Sequence, residues 1–144
     1  DGWLNEQGLD GSIGQESGFS DDPDKDGLTN AFEWISGSNP LTTDSGSQTA
    51  VQMNPTNSVF SFSFNREEDS IGRVDLMVEW SSDLAPEWTN SIEINESSSG
   101  SYDKTNGIIV TIDDAPDPDR VTITVPESLS DDGKLFLRLK ASQP

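Results

Sequence analysis

The chain has 144 residues, 27 of them acidic and 8 basic, for a formal net charge of −19. So negative a surface repels nucleic acid and anionic membranes and attracts divalent cations, and no apolar run is long enough for membrane insertion. Cysteine and histidine are absent, which excludes disulfide staples, Cys–His nucleophile chemistry and the commonest zinc ligand, and leaves a metal as the natural substitute staple.

Residues 1–9 predict a short helix ended by Gly8 and anchored by Trp3 and Leu4. The chain begins at Asp1 rather than methionine, so a piece of a longer protein is expected. A loop rich in Gly and Ser runs to Asp21, and then comes Asp22-Pro-Asp-Lys-Asp-Gly-Leu-Thr-Asn-Ala-Phe-Glu33. Carboxylates occupy its first, third, fifth and twelfth positions, with glycine at the sixth. Calcium takes six to eight oxygens, and this spacing lets one continuous loop supply them. Asp22, Asp24, Asp26 and Glu33 offer carboxylates, Leu28 its backbone carbonyl, and Asn30 its side chain directly or through water. Gly27 permits the sharp turn, because no Cβ clashes there at positive φ. A helix is expected from Thr29, with Leu28, Phe32 and Ile35 at helical spacing, Trp34 alongside and Gly37 as its stop. The result is a small EF-hand-like helix–calcium loop–helix element.

From Asp22 to Asp44 the chain carries Asp-x-Asp-x-Asp-Gly-Leu-x-Asn, then Glu33, then Gly37-Ser-Asn-Pro40, then Asp44. This segment resembles a bacterial thrombospondin type 3 repeat, and the resemblance implies calcium held by Asp22, Asp24, Asp26 and Glu33, with Asp44 as a further candidate. Asn39 departs from the aspartate that more often precedes the proline.

Residues 45–57 are rich in Ser, Thr, Asn and Gln without a period, and a linker is expected there. Beyond it the period becomes two. Phe60, Phe62 and Phe64 share one face, as do Val74, Leu76, Val78 and Trp80. Ile92 and Ile94 follow, then Ile108, Val110 and Ile112, then Val121, Ile123 and Val125, and last Leu135, Leu137 and Leu139. Six strands with one apolar face each, joined by turn-rich links such as Asn106-Gly107, predict an antiparallel β-sandwich. The expected class is therefore mainly β: residues 1–45 as the calcium element, 46–57 as linker and 58–144 as sandwich. The calcium loop, the stretch Val78-Glu-Trp-Ser-Ser-Asp-Leu84, Trp88 and the terminal Phe136-Leu-Arg-Leu139 together resemble the C-terminal module of large secreted proteins from Verrucomicrobia and related bacteria. Many of those proteins degrade polysaccharides. The resemblance implies a secreted, extracellular accessory module with a covalently attached catalytic domain.

No constellation for catalysis stands out, and carboxylate pairs are too easily found among so many acids to argue for glycoside hydrolysis. Sugar binding needs exposed aromatic rings beside polar groups. Trp3 and Trp34 lie on helix faces that must cover something, and Trp80 shares the face of Val78 and Leu76, so these are expected inside. Trp88 could plug the sandwich or stand exposed, and Tyr102 sits in the polar loop 97–107, where binding sites are usually built. The outward row Phe136, Arg138 and Lys140 could receive anionic glycans, or its cations could neutralise carboxylates across the sheet, which is the favoured reading. The acidic run Asp113–Asp119, broken by Pro116 and Pro118, is expected to be a solvated turn. Two functions remain open. One is a non-catalytic, Ca2+-stabilised module that holds polysaccharide. The other is a calcium-rigidified spacer or a surface-attachment or sorting domain.

Overall fold

The computed structural model describes residues 2–43, the backbone of 49–54, and 59–144. The protein is mainly β, built from two antiparallel sheets and two short helices, α1 (Gly2–Glu6) and α2 (Asn30–Ser36). The strands are β1 (Thr49–Asn54), β2 (Val59–Arg66), β3 (Asp75–Ser81), β4 (Asn90–Glu93), β5 (Gly100–Asp103), β6 (Ile109–Asp113), β7 (Asp119–Pro126) and β8 (Phe136–Ser142). One sheet has the order β1-β2-β7-β6-β5 and the other β4-β3-β8.

The six runs of period two are all strands, and two further strands accompany them. β1 lies inside the expected linker, of which 46–48 and 55–57 fall outside the described residues, as does Asp44. β5 lies inside the expected polar loop and carries Tyr102. Both are edges of the five-stranded sheet. An edge strand bonds on one side only, so neighbouring backbone can recruit it without a strong apolar pattern of its own.

Register brings the apolar faces into line. Phe62 stands opposite Ile123, Val110 opposite Ile123 on its other side, and Val78 between Ile92 and Leu139. Side chains alternate strictly along β7, with Val121, Ile123 and Val125 wholly buried and Thr122 and Thr124 turned outward. The buried residues of both sheets form one cluster, a β-sandwich-like arrangement, in which each fully buried large side chain contributes about 1.5–3 kcal/mol.

That cluster also includes Ala31, Trp34 and Ile35 of α2, so the helical element packs on the sheets. α2 ends as expected at Gly37, which takes φ 74°, while the N–H groups of Gly37 and Ser38 both donate to the Glu33 carbonyl. Trp3 of α1 lies flat on Trp34, with centroids 5.2 Å apart and planes 3° from parallel. At the end of β2, buried Arg66 faces buried Asp119 across the sheet at 3.4 Å.

The next residue, Glu67, clasps α2. Its N–H donates to the Ile35 carbonyl at 2.6 Å, and its carboxyl lies where a Cβ on Gly37 would stand. Burial, followed by the charges of Asp117, Asp119 and Asp69, holds the Glu67 carboxyl above the ordinary glutamate range. A carboxyl raised in this way takes up protons on folding. Its contribution therefore favours the fold in acid and is lost as pH climbs from the unfolded value through the folded one. Glu67→Gln mimics the protonated side chain, so it should raise the melting temperature at about pH 7 and leave that near pH 4 almost unchanged. Melting curves across this range check it, and an equal gain at both ends would refute the electrostatic cause.

Candidate metal centre

The loop from Asp22 to Leu28 is shaped by its own carboxylates. Asp22 Oδ2 accepts from the Gly27 N–H at 3.1 Å, Asp24 Oδ1 from the Asp26 N–H at 3.2 Å, and Asp26 Oδ1 from the Leu28 N–H at 2.8 Å. Gly27 takes φ 97° and Lys25 φ 62°, which curls the chain so that the three side chains converge. Asp22, Asp24 and Asp26 bring ligand oxygens within 4.8 Å of one another, all three half-buried, in a group that could hold a metal ion. Two carboxylates about 4 Å apart repel by about 1 kcal/mol in bulk water and about 4 kcal/mol at a typical protein surface, so a cation is the natural partner for three. Burial, with the charges of Asp26 and Asp22 added, holds Asp24 above the ordinary aspartate range although the Asp26 N–H opposes them.

Oxygens left without hydrogen bonds here fit a cation. Asp22 Oδ1 and Asp24 Oδ2 are buried and accept no hydrogen bond. Asn30, 1% exposed, donates through Nδ2 to the carbonyls of Glu16 at 2.9 Å and Gly18 at 2.8 Å, while its backbone N–H donates to the Asp21 carbonyl. With its amide protons engaged, Asn30 has Oδ1 left as a buried acceptor without a hydrogen bond. A buried acceptor left without a partner costs about 1–3 kcal/mol, and several in one loop point to a ligand that supplies positive charge. Glu33 is wholly buried on α2 and stands outside the group of three aspartates. Leu28 is held at its place by the bond from its N–H to Asp26.

The surface candidates divide between the two sheets. Trp88 is half-buried, donates from Nε1 to the Ala85 carbonyl at 3.1 Å, and has the Arg138 guanidinium over its ring at 4.4 Å. Arg138 Nε also reaches Glu79 Oε2 at 2.5 Å, and Lys140 Nζ stands 3.7 Å from Glu79 Oε1. Both cations of the outward row thus share one carboxylate across the sheet. Glu79, 6% exposed, is the hub the sequence alone did not single out, because only the register sets it opposite Arg138. Phe136 is half-buried beside them, opposite Ser81. Tyr102 is not part of this face. It stands opposite core residue Val110 on the other sheet, packs against the core cluster and donates from its hydroxyl to the Ser98 carbonyl at 2.7 Å. The acidic run is exposed from Asp113 to Asp117, with Asp114 bonded to Ser99 and held below the ordinary aspartate range by that bond.

Among the described residues no helix is long and apolar enough to cross a membrane. No protein family, curated protein or solved structure matches this chain.

Proposed function

We propose that the chain is a non-catalytic, calcium-stabilised accessory module of a secreted bacterial protein, holding polysaccharide for an attached carbohydrate-active domain. The observation that carries the calcium half is the set of buried oxygens on Asp22, Asp24 and Asn30 that accept no hydrogen bond. Oxygen-only donors at these loop positions, with Leu28 and Glu33 to complete the sphere, suit Ca2+ better than Mg2+, which demands a small octahedron and keeps several waters. The helix–loop–helix around them is then an EF-hand-like unit of thrombospondin type 3 character. The polysaccharide half rests on the resemblance to secreted Verrucomicrobia-type modules and on two half-exposed indoles, Trp3 and Trp88. A purely structural spacer or attachment domain is the second reading, favoured by the engagement of Arg138 and Lys140 with Glu79.

Affinity electrophoresis separates the two. The protein with Ca2+ should be retarded in gels that contain one or more plant or algal polysaccharides. Unchanged mobility in every gel would leave the spacer reading standing.

A further inference from the structure

Three segments far apart in sequence meet beside the helical element. α1 and the turn after it provide Trp3 and Gln7, α2 and the turn after it provide Trp34 and Asn39, and the segment after β2 provides Glu67 and Asp69. They border an open hollow of about 360 Å3. Two aromatic residues stack at its wall, Trp3 half-exposed over Trp34, which is 3% exposed. The Trp34 indole N–H is buried and has no acceptor. Indole with amide and carboxylate groups around one concavity is the chemistry that reads a sugar: the ring packs on the apolar face of a pyranose, and the polar groups bond its hydroxyls.

We propose that this hollow is the saccharide site of the module and that it accepts a neutral sugar. The inference rests on the polysaccharide-binding reading and gives that reading a place and a ligand class. Carboxylates make strong, charge-assisted acceptors for hydroxyl donors but repel sulfate and uronate groups. The hollow carries Glu67 and Asp69, with Asp117 and Asp119 close enough to act on Glu67, and the Arg73 that reaches Asp69 stands out at the surface. The half-exposed cations of the other sheet, Arg138 and Lys140, share the single carboxylate of Glu79 and lie outside this hollow.

The placement also couples the site to the metal. α2 opens on Asn30 and carries Trp34 in its last turn, so an ion that steadies the helix steadies the hollow without touching the sugar. Sugar binding is then calcium-dependent at a distance, through a shared helix.

The test compares mobility in gels with soluble xylan, galactomannan or hydroxyethylcellulose against gels with alginate or carrageenan. The wild-type protein with Ca2+ should be retarded by at least one neutral polymer and by neither anionic one, and chelator should abolish the retardation. Gln7→Ala combined with Asn39→Ala changes two side chains at the rim, and should weaken retention roughly tenfold or more. Trp3→Ala should do the same, and if it lowers the melting temperature strongly, the rim variant decides. Undiminished retention by neutral polymers in the rim variant, or its loss in Trp88→Ala alone, would move the site elsewhere while leaving a polysaccharide-binding module. Retention by anionic polymers alone would overturn both the place and the ligand class. Failure of every polymer to retard the wild-type protein would refute the binding function itself.

Discussion

Chelation of calcium should lower the melting temperature by roughly 10 °C, and added Ca2+ should restore it far better than Mg2+. A ligand at one hundred times its dissociation constant stabilises the folded state by about 2.7 kcal/mol, and about 1 kcal/mol shifts the midpoint of a domain this size by a few degrees. The effect reaches the whole protein because the loop is joined to the core. Asn30 is tied to the 16–18 backbone through its side chain, and the helix it opens places Ala31, Trp34 and Ile35 in the shared apolar cluster. Asp24→Ala combined with Asp26→Ala should abolish the response to calcium. A calcium response that persists in the variant would place the ion outside this loop.

The second large effect is expected at the pair Arg66–Asp119. Both are buried, with side chains 3% and 10% exposed, and the bond from Arg66 Nη2 to Asp119 Oδ2 is long at 3.4 Å. Arg66 Nε and Nη1 are buried without hydrogen-bond partners. Removing the carboxylate alone leaves a buried guanidinium uncompensated, so Asp119→Ala should cost about 3–5 kcal/mol and lower the melting temperature by roughly 10 °C or more. Replacing the pair together, Arg66→Met with Asp119→Val, removes the desolvation cost of both charges and should leave stability within about 1 kcal/mol of the wild-type protein or above it. Chemical denaturation of the two variants measures the contrast. Equal destabilisation in both would show that packing, not charge, sets the stability at this position.

Some of this protein is legible from single segments. The aspartates stand two residues apart and shape their loop with bonds spanning two to five residues, so the composition of one short stretch specifies it. The stop of α2 at Gly37 is equally local, since it needs only a residue that tolerates φ 74°. Strands β2, β3, β4, β6, β7 and β8 declare themselves because a face buried on a core imposes period two along each one. β1 and β5 escape this rule. β5 reads Gly-Ser-Tyr-Asp, with one large side chain to mark a face, and it forms because the edge of β6 offers bonds to it. Tyr102 therefore packs against the core cluster from a strand, at a position the sequence places in a polar loop.

The remaining features depend on pairings between distant residues. Glu79 neutralises Arg138 across a separation of 59 residues, and Arg66 meets Asp119 across 53. No pattern in either segment announces these partners, because the charges at issue sit on strands whose register is set by the whole sandwich. The same holds where Trp3, Asn39 and Glu67 meet in one hollow, and where α2 is built into the core rather than standing beyond a linker. Short-range bonds and a single buried face are properties of one segment, and they specify the aspartate loop and the period of the six apolar strands. The strands β1 and β5, the paired charges and the hollow are instead contacts between segments, set only when the burial of a common core brings those segments together.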